Sequence, residues 1–185
     1  VELMTRNKTS TEPRGASGRP TGARAHRFAL VVSRYHEGIT DRLREGALAA
    51  LAECGVQSDS VEIYAVPGTF ELPFAARRVA ESGEFVAVVC LGCLIRGETS
   101  HFDFIASAVA HGITAASSET GIPITFGVLT TNSHQEAQSR SSELNADSPL
   151  DAGASNKGNK GAEAAYAAVA MVKFSAISTG LSLPG

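Results

Sequence analysis

The chain has 185 residues, of which 43% are hydrophobic, and a formal net charge of −3. This size and composition suit one domain with a sizeable core plus additional segments. The charge gives no electrostatic basis for binding nucleic acid or an anionic membrane surface. No apolar run approaches the roughly 20 residues needed to span a bilayer, and no signal-peptide core stands at the start. We therefore expect a cytoplasmic protein that acts on small molecules.

Residues 1–25 are rich in Arg, Ser, Thr, Gly and Pro and contain few large apolar side chains. Such a segment cannot bury enough surface to fold alone, so it is expected to be a flexible tail. Its composition leaves open a second interpretation, the remnant of an organelle import segment. The folded domain is predicted over residues 27–176, and a second tail over residues 177–185.

From residue 27 onwards, apolar runs alternate with segments of helical pattern. Strands are predicted at 27–32, 61–66, 85–91 and 124–129, and helices at about 40–54, 71–81, 101–120, 133–141 and 161–174. This repeated βαβ order predicts right-handed crossovers and a four-stranded parallel sheet with helices on both faces. The expected fold class is α/β, a three-layer flavodoxin-like sandwich.

The strongest functional signal follows the third predicted strand, in the stretch Leu91-Gly-Cys-Leu-Ile-Arg-Gly-Glu-Thr-Ser-His101. Gly92 and Gly97 would allow a tight turn, and Thr99 or Ser100 would cap the following helix. Ligands of open α/β sheets bind at the carboxyl ends of the strands, and a helix N-terminus attracts phosphate. A phosphate subsite is therefore predicted near Gly97 to Ser100.

His101 falls in the first turn of the helix that follows. A neutral imidazole there could exchange protons with a substrate held at the strand ends. The alternative is a helix-start histidine that only hydrogen-bonds Asp103 or solvent, and the local sequence supports both interpretations equally. The neighbouring phosphate turn favours the functional one.

Other strand ends carry residues that are unusual for simple turns. Tyr35, after the first strand, could stack on a flat heterocycle, although plain packing is the commoner role of such a residue. Thr69, a candidate helix cap, precedes Phe70 and Glu71 after the second strand. Glu71 either faces the site or complements the helix N-terminus. Phe126 lies within the fourth strand.

Metal, redox and nucleotide chemistry are not expected. Cys90 and Cys93 spell C-x-x-C, but this pair lies at the end of a predicted buried strand, and zinc would need a second ligand pair. The three cysteines of the chain are expected to be reduced thiols. The stretch 153–160 lacks the lysine and hydroxyl spacing of a phosphate-binding P-loop, and no dinucleotide fingerprint follows the first strand.

Six motifs together resemble the 6,7-dimethyl-8-ribityllumazine synthase family over residues 27–174. They are Ser33-Arg-Tyr35, Val66-Pro-Gly-Thr-Phe-Glu71, Leu91 to His101 as quoted above, Phe126-Gly-Val-Leu-Thr130, Arg140 and Gly158-Asn-Lys-Gly161. The resemblance implies a transferase of the penultimate step of riboflavin biosynthesis. This enzyme condenses 5-amino-6-(D-ribitylamino)uracil with 3,4-dihydroxy-2-butanone 4-phosphate and needs no cofactor.

The resemblance also implies roles for individual residues. It implies that Tyr35 stacks on the pyrimidine and that His101 transfers protons. It assigns substrate contacts to the backbone of Cys93, Leu94 and Ile95, to Thr69, Phe70, Glu71 and Phe126, and, for the phosphate, to Gly97, Glu98, Thr99 and an Arg140 acting across a subunit boundary.

Family members form homopentamers with active sites between subunits, and some pentamers pack into sixty-subunit shells. The resemblance therefore implies a homo-oligomer, with riboflavin synthase as a candidate partner. The chain departs from the family in two places: His36 stands where asparagine is usual, and a polar insertion occupies residues 141–155. An extended loop of this kind would be costly to order between rings, so a free pentamer is expected.

Two other functions compete with the synthase. A non-catalytic lumazine- or flavin-binding or shell-forming protein would keep the aromatic platform but would have little use for both His101 and Arg140. A flavin redox module would need a bound flavin. The presence of both polar residues favours the enzyme.

Overall fold

The computed structural model describes residues 26–142 and 158–178. Within these ranges, strands and helices alternate in the predicted order. The strands are β1 (Phe28–Ser33), β2 (Val61–Val66), β3 (Ala87–Ile95) and β4 (Ile124–Thr131), and the α-helices are α1 (Glu37–Glu53), α2 (Leu72–Glu81), α3 (His101–Thr120), α4 (His134–Arg140) and α5 (Lys160–Ser178). None of the described helices is long and apolar enough to cross a membrane.

The four strands form one parallel sheet in the order β2-β1-β3-β4, which confirms the predicted sheet. Leu30, in the middle of β1, lies beside Ile63 of β2 and Val89 of β3. Parallel neighbours cannot be joined by tight hairpins, so helices make the connections. From β1 the chain goes first to one side of the sheet and then to the other. A topological switch point therefore lies between β1 and β3.

Helices cover both faces of the sheet because the central strands present apolar side chains to each. Leu30 and Val89 pack with Leu43 in the core that α1 and α5 close. Val31 and Val88 pack in the opposite core, under α2 and α3. Complete burial of such a side chain contributes about 1.5–3 kcal/mol. The result is the predicted three-layer α/β arrangement.

Helices α1 and α5 approach each other closely because α5 presents small residues to α1. A Cβ atom built on Gly161 would stand 2.0 Å from the backbone oxygen of Leu43. Further along α5, Ala162, Ala165 and Ala168 are completely buried. A side chain at Gly161 would therefore push the two helices apart.

The position at which strand β3 ends differs from the prediction. The strand continues to Ile95, whereas the sequence pattern placed its end at Leu91 and a turn at Gly92. A Cβ atom at Gly92 would approach the side chains of Thr69 and Leu72 to 3.0 Å. The glycine thus lets the start of α2 pack against the strand, and the turn comes later, at residues 96–100.

Two helix starts also differ from the predictions. Helix α1 begins three residues early because His36 adopts a left-handed conformation, with φ of 62°, and its carbonyl accepts from the N–H of Ile39 at 2.8 Å. Thr69 does not cap α2: a 3₁₀ turn over Thr69–Glu71 precedes the helix, and Glu71 is the N-cap residue. Pro73 stands in the first turn of α2, where its missing N–H costs nothing.

Candidate active site

A cleft of about 580 Å³ opens at the carboxyl edge of the sheet, lined by segments that follow all four strands. Ten of the thirteen predicted site residues line it: Tyr35, Thr69, Phe70, Glu71, Cys93, Leu94, Ile95, Gly97, Thr99 and His101. Clefts at this position, beside a topological switch point, are where open α/β sheets bind ligands.

The end of β3 directs backbone groups into the cleft. Pairing with β1 stops at Leu91, whereas β3 continues to Ile95 with β4 alongside. Successive residues of a strand direct their N–H and C=O groups to alternate sides. The carbonyl of Leu94 accepts a hydrogen bond from Thr131 on the β4 side. Cys93 and Ile95 therefore direct their backbone groups towards the cleft.

The turn after β2 is tied to the end of β3. Thr69 is almost fully buried, and its hydroxyl donates to the carbonyl of Cys93 at 3.3 Å. The ring of Phe70, by contrast, is 55% exposed at the cleft. The carboxylate of Glu71 makes no capping hydrogen bond with α2 and folds back towards Gly68. The turn thus presents an aromatic ring and a carboxylate together.

Three rings line the side of the cleft next to β1. Tyr35 is 65% exposed, and its backbone N–H is held by the Ser33 hydroxyl at 3.2 Å. The ring of His36 meets that of Tyr35 edge to face, with centroids 4.6 Å apart. Burial, and then the nearby His134, lower the pKa of His36, which favours a neutral ring. Sequence reasoning missed His134 as a cleft residue, although it follows the cap residue Ser133 directly after β4.

His101 is the first residue of α3 and is exposed to the cleft. The hydrogen bond to Asp103, one of the two options in the alternative interpretation, is absent; both terminal nitrogens of Arg96 bind Asp103 instead, at 2.7 and 2.9 Å. Across residues 26–142 and 158–178, the imidazole ring of His101 has no hydrogen-bond partner. Its ring is therefore free to meet a substrate.

Arg96 anchors the turn that carries the predicted phosphate subsite. Its guanidinium lies over the ring of Phe102 at 4.3 Å and donates to the side chain of Asn132 at 3.2 Å. The hydrogen bonds with Arg96 lower the pKa of Asp103, and the same contact raises the pKa of Arg96. The first N–H groups of α3 have no acceptor within the helix, and they open beside this fixed turn. An anion would be favoured there.

The C-x-x-C pair does not form a site. Cys93 belongs to the core under α1 and α5, and Cys90 to the core under α2 and α3, so the two thiols lie on opposite faces of β3. Burial raises the pKa of Cys90 to about 12 and that of Cys93 to about 11, which keeps both thiols protonated. In the described part of the chain, no group of three or more potential metal ligands comes together.

Comparison with known proteins assigns the chain to a family. The sequence model of the 6,7-dimethyl-8-ribityllumazine synthase family matches residues 25–176. The chain belongs to this family. A protein of that name from Syntrophus aciditrophicus is 46% identical over 118 residues, covering 64% of this chain and 77% of the relative.

Two further proteins of the same name support the assignment. The one from Deinococcus radiodurans is 46% identical over 114 residues, 62% of this chain and 74% of the relative. The one from Synechocystis sp. is 44% identical over 122 residues, 64% of this chain and 74% of the relative. The family resemblance inferred from the six sequence motifs is confirmed.

Three residues that the family resemblance assigns to the substrate site do not line the cleft of this single chain. Glu98 is exposed on the anchored turn. Phe126 is 43% exposed on the edge strand β4, where it lies beside α5. Arg140 ends α4, where its guanidinium donates to the carbonyl of Glu136 at 3.4 Å. Phe126 and Arg140 thus lie on surfaces outside the cleft of their own chain.

The departure from the family at His36 is compatible with the same local turn. The left-handed region that His36 occupies is disfavoured for most side chains, but Asn, Asp and His adopt it several-fold more often than other residues. The histidine therefore suits the left-handed position that leads from Tyr35 into α1. It also adds a second ring beside the exposed tyrosine.

Proposed function

We propose that this protein condenses 5-amino-6-(D-ribitylamino)uracil with 3,4-dihydroxy-2-butanone 4-phosphate to 6,7-dimethyl-8-ribityllumazine, releasing phosphate and water. Family membership supports this reaction. The observation that carries it is the unpartnered His101 in the same cleft as an exposed aromatic ring and a helix N-terminus. The reaction is the penultimate step of riboflavin biosynthesis, and the proposed mechanism uses no cofactor.

The pyrimidine would bind next to the switch point. Tyr35 offers an exposed ring for stacking. The backbone of Cys93 and Ile95 offers donors and acceptors suited to the edge of a uracil ring. Thr69 holds the carbonyl of Cys93 in place, and Phe70 and Glu71 would meet the ring substituents and the ribityl chain. The first substrate would thus be held flat between the turns after β1 and β2.

The phosphate would bind at the start of α3. Gly97 and Thr99 line the cleft there, and the anchored turn orients their backbone next to the first N–H groups of the helix. Arg140 would add a planar, permanently charged guanidinium group that can donate two parallel hydrogen bonds to the phosphate. Since Arg140 and Phe126 lie outside the cleft of their own chain, we propose that a neighbouring subunit of a homopentamer supplies both. Glu98 would lie close to the phosphate without lining the cleft itself.

His101 would move protons between the two bound substrates. It lines the same cleft as Gly97 and Thr99 and as the end of β3, so it would lie near both substrates. General acid–base assistance at that point would aid imine formation, phosphate elimination and ring closure. Both carboxylate oxygens of Asp103 accept hydrogen bonds from Arg96, and the imidazole of His101 is not bonded to them.

The test is incubation of the purified protein with both substrates while lumazine fluorescence is followed. Formation of lumazine above the rate without protein supports the proposal. Tight lumazine binding without turnover would instead identify a non-catalytic binding protein. A bound flavin that is reversibly reduced would identify a redox module.

Compartment and partners complete the proposal. The cysteines of the described chain are free, which suits a reducing compartment such as the cytoplasm. Riboflavin synthase, which would consume the product, is the proposed protein partner. Co-sedimentation of the two purified proteins would test that association.

A further inference from the structure

One buried side chain connects the end of α4 to the start of α5. Asn159 is 3% exposed and precedes α5 directly. Its Oδ1 accepts from the backbone N–H groups of Gly161 at 2.9 Å and Ala162 at 3.2 Å, which caps α5. Its Nδ2 donates to the carbonyls of Arg42 at 2.7 Å and Ser141 at 3.2 Å. Both acceptor sites and both donor hydrogens of the amide are therefore used.

The surroundings admit this side chain only because α1 carries a glycine there. A Cβ atom on Gly46 would stand 2.3 Å from Cγ of Asn159. The amide is thus inserted against the backbone of α1, where it cannot turn without losing buried hydrogen bonds. It forms a fixed junction between α1, α4 and α5.

Ser141, which the junction holds, directly follows Arg140. Ser141 is completely buried, and its hydroxyl accepts from Nε of Arg42 at 3.1 Å and donates to the carbonyl of Gln138 at 3.2 Å. Helix α4 has only seven residues, and Ala137 is its one buried residue. A helix so short has little packing of its own. The contacts at Ser141 therefore fix where α4 ends.

We propose that Asn159 is a positioning residue for Arg140. By holding the carbonyl of Ser141, it sets the place and direction from which the Arg140 guanidinium leaves α4. This inference rests on the proposed function, in which Arg140 binds the phosphate of the second substrate. Asn159 is too deeply buried to touch substrate, so it acts only through Arg140.

The test uses Asn159→Asp, which has the same shape. The aspartate retains an oxygen to cap α5 but replaces the donor amide with an oxygen that faces two carbonyls. We expect KM for the phosphorylated substrate to rise about tenfold or more, because small misplacements of a binding group cost this much. KM for the pyrimidine should stay within about twofold, as the pyrimidine contacts lie elsewhere.

Two further variants separate positioning from loss of stability. Leu51→Ala empties a buried site in the same core, near the far end of α1, without touching the junction. It should lower the denaturation midpoint and leave both KM values unchanged. Ser141→Ala removes the contact with Arg42 and should shift KM for the phosphorylated substrate in the same direction as Asn159→Asp, by less. It serves as the test if Asn159→Asp does not fold.

Binding of inorganic phosphate, measured by calorimetry on the assembled protein, gives a readout that does not need turnover. Wild-type protein that binds phosphate but makes no lumazine would refute the proposed function alone. The positioning role is overturned if Asn159→Asp binds phosphate as wild type does, if both KM values rise equally, or if wild type does not bind phosphate.

Discussion

Replacing His101 with alanine isolates proton transfer from every other contribution to the proposed reaction. The side chain is exposed, and in the described structure nothing is bonded to it, so its removal leaves no polar group unsatisfied. The free energy of unfolding should change by less than about 0.5 kcal/mol. Turnover, in contrast, should fall about 10²–10⁴-fold. At about 1.36 kcal/mol for each factor of ten, this equals a barrier roughly 3–5 kcal/mol higher.

The assay follows lumazine fluorescence at saturating substrate, with the rate of the uncatalysed condensation subtracted. His111→Ala is the matched control, because His111 is exposed on the same helix but bonds the carbonyl of Ser107 at 2.8 Å, away from the cleft. The control should turn over as wild type does. If His101→Ala kept wild-type turnover at every pH tested, the proton-transfer role would be refuted.

Three other predictions concern phosphate binding, helix packing and assembly. Arg140→Lys keeps the charge but loses the planar fork, so KM for the phosphorylated substrate should rise far more than KM for the pyrimidine; equal increases would indicate a folding or assembly role. Gly161→Ala should lower the free energy of unfolding by about 3 kcal/mol or more in urea titrations, because its Cβ would overlap the backbone of α1. Gly38→Ala, with open space around its Cβ, is the control for that variant and should be nearly neutral. The protein should sediment as a free pentamer, since ordering the insertion at 141–155, most of which lies outside the described residues, would cost about 1 kcal/mol for each residue fixed; particles near a megadalton would contradict this.

Much of the fold follows from apolar patterning, because a parallel sheet covered on both faces leaves continuous apolar runs. The end of β3 could not be predicted in the same way. Gly92 has the local signature of a turn, and only its distance to Thr69 and Leu72, on another element, shows that it is a packing position. Local sequence does not contain that contact.

The candidate site likewise contains residues that local sequence could place and residues that it could not. Residues in or just after the turns that follow strands, such as Tyr35 and His101, could be placed from sequence because parallel strands all end at one edge. His134 was missed because nothing in its local sequence distinguishes it from an ordinary residue of a short surface helix. The substrate roles of Phe126 and Arg140 came from the family resemblance, and in a single chain these residues lie away from the cleft. Their proposed place in the site needs a second subunit, which patterning within one chain cannot show.

The stretch Gly158 to Gly161 shows how a glycine-containing motif can act through packing and hydrogen bonding. Its lysine and hydroxyl spacing does not match that of a P-loop. In the structure, its second glycine permits close contact between α5 and the backbone at Leu43, and its asparagine caps α5 while holding the end of α4. The first role requires a residue without a side chain at position 161, and the second requires a short amide side chain at position 159. Through its contact with Ser141, the motif would act on the phosphate binding that we propose for the neighbouring Arg140.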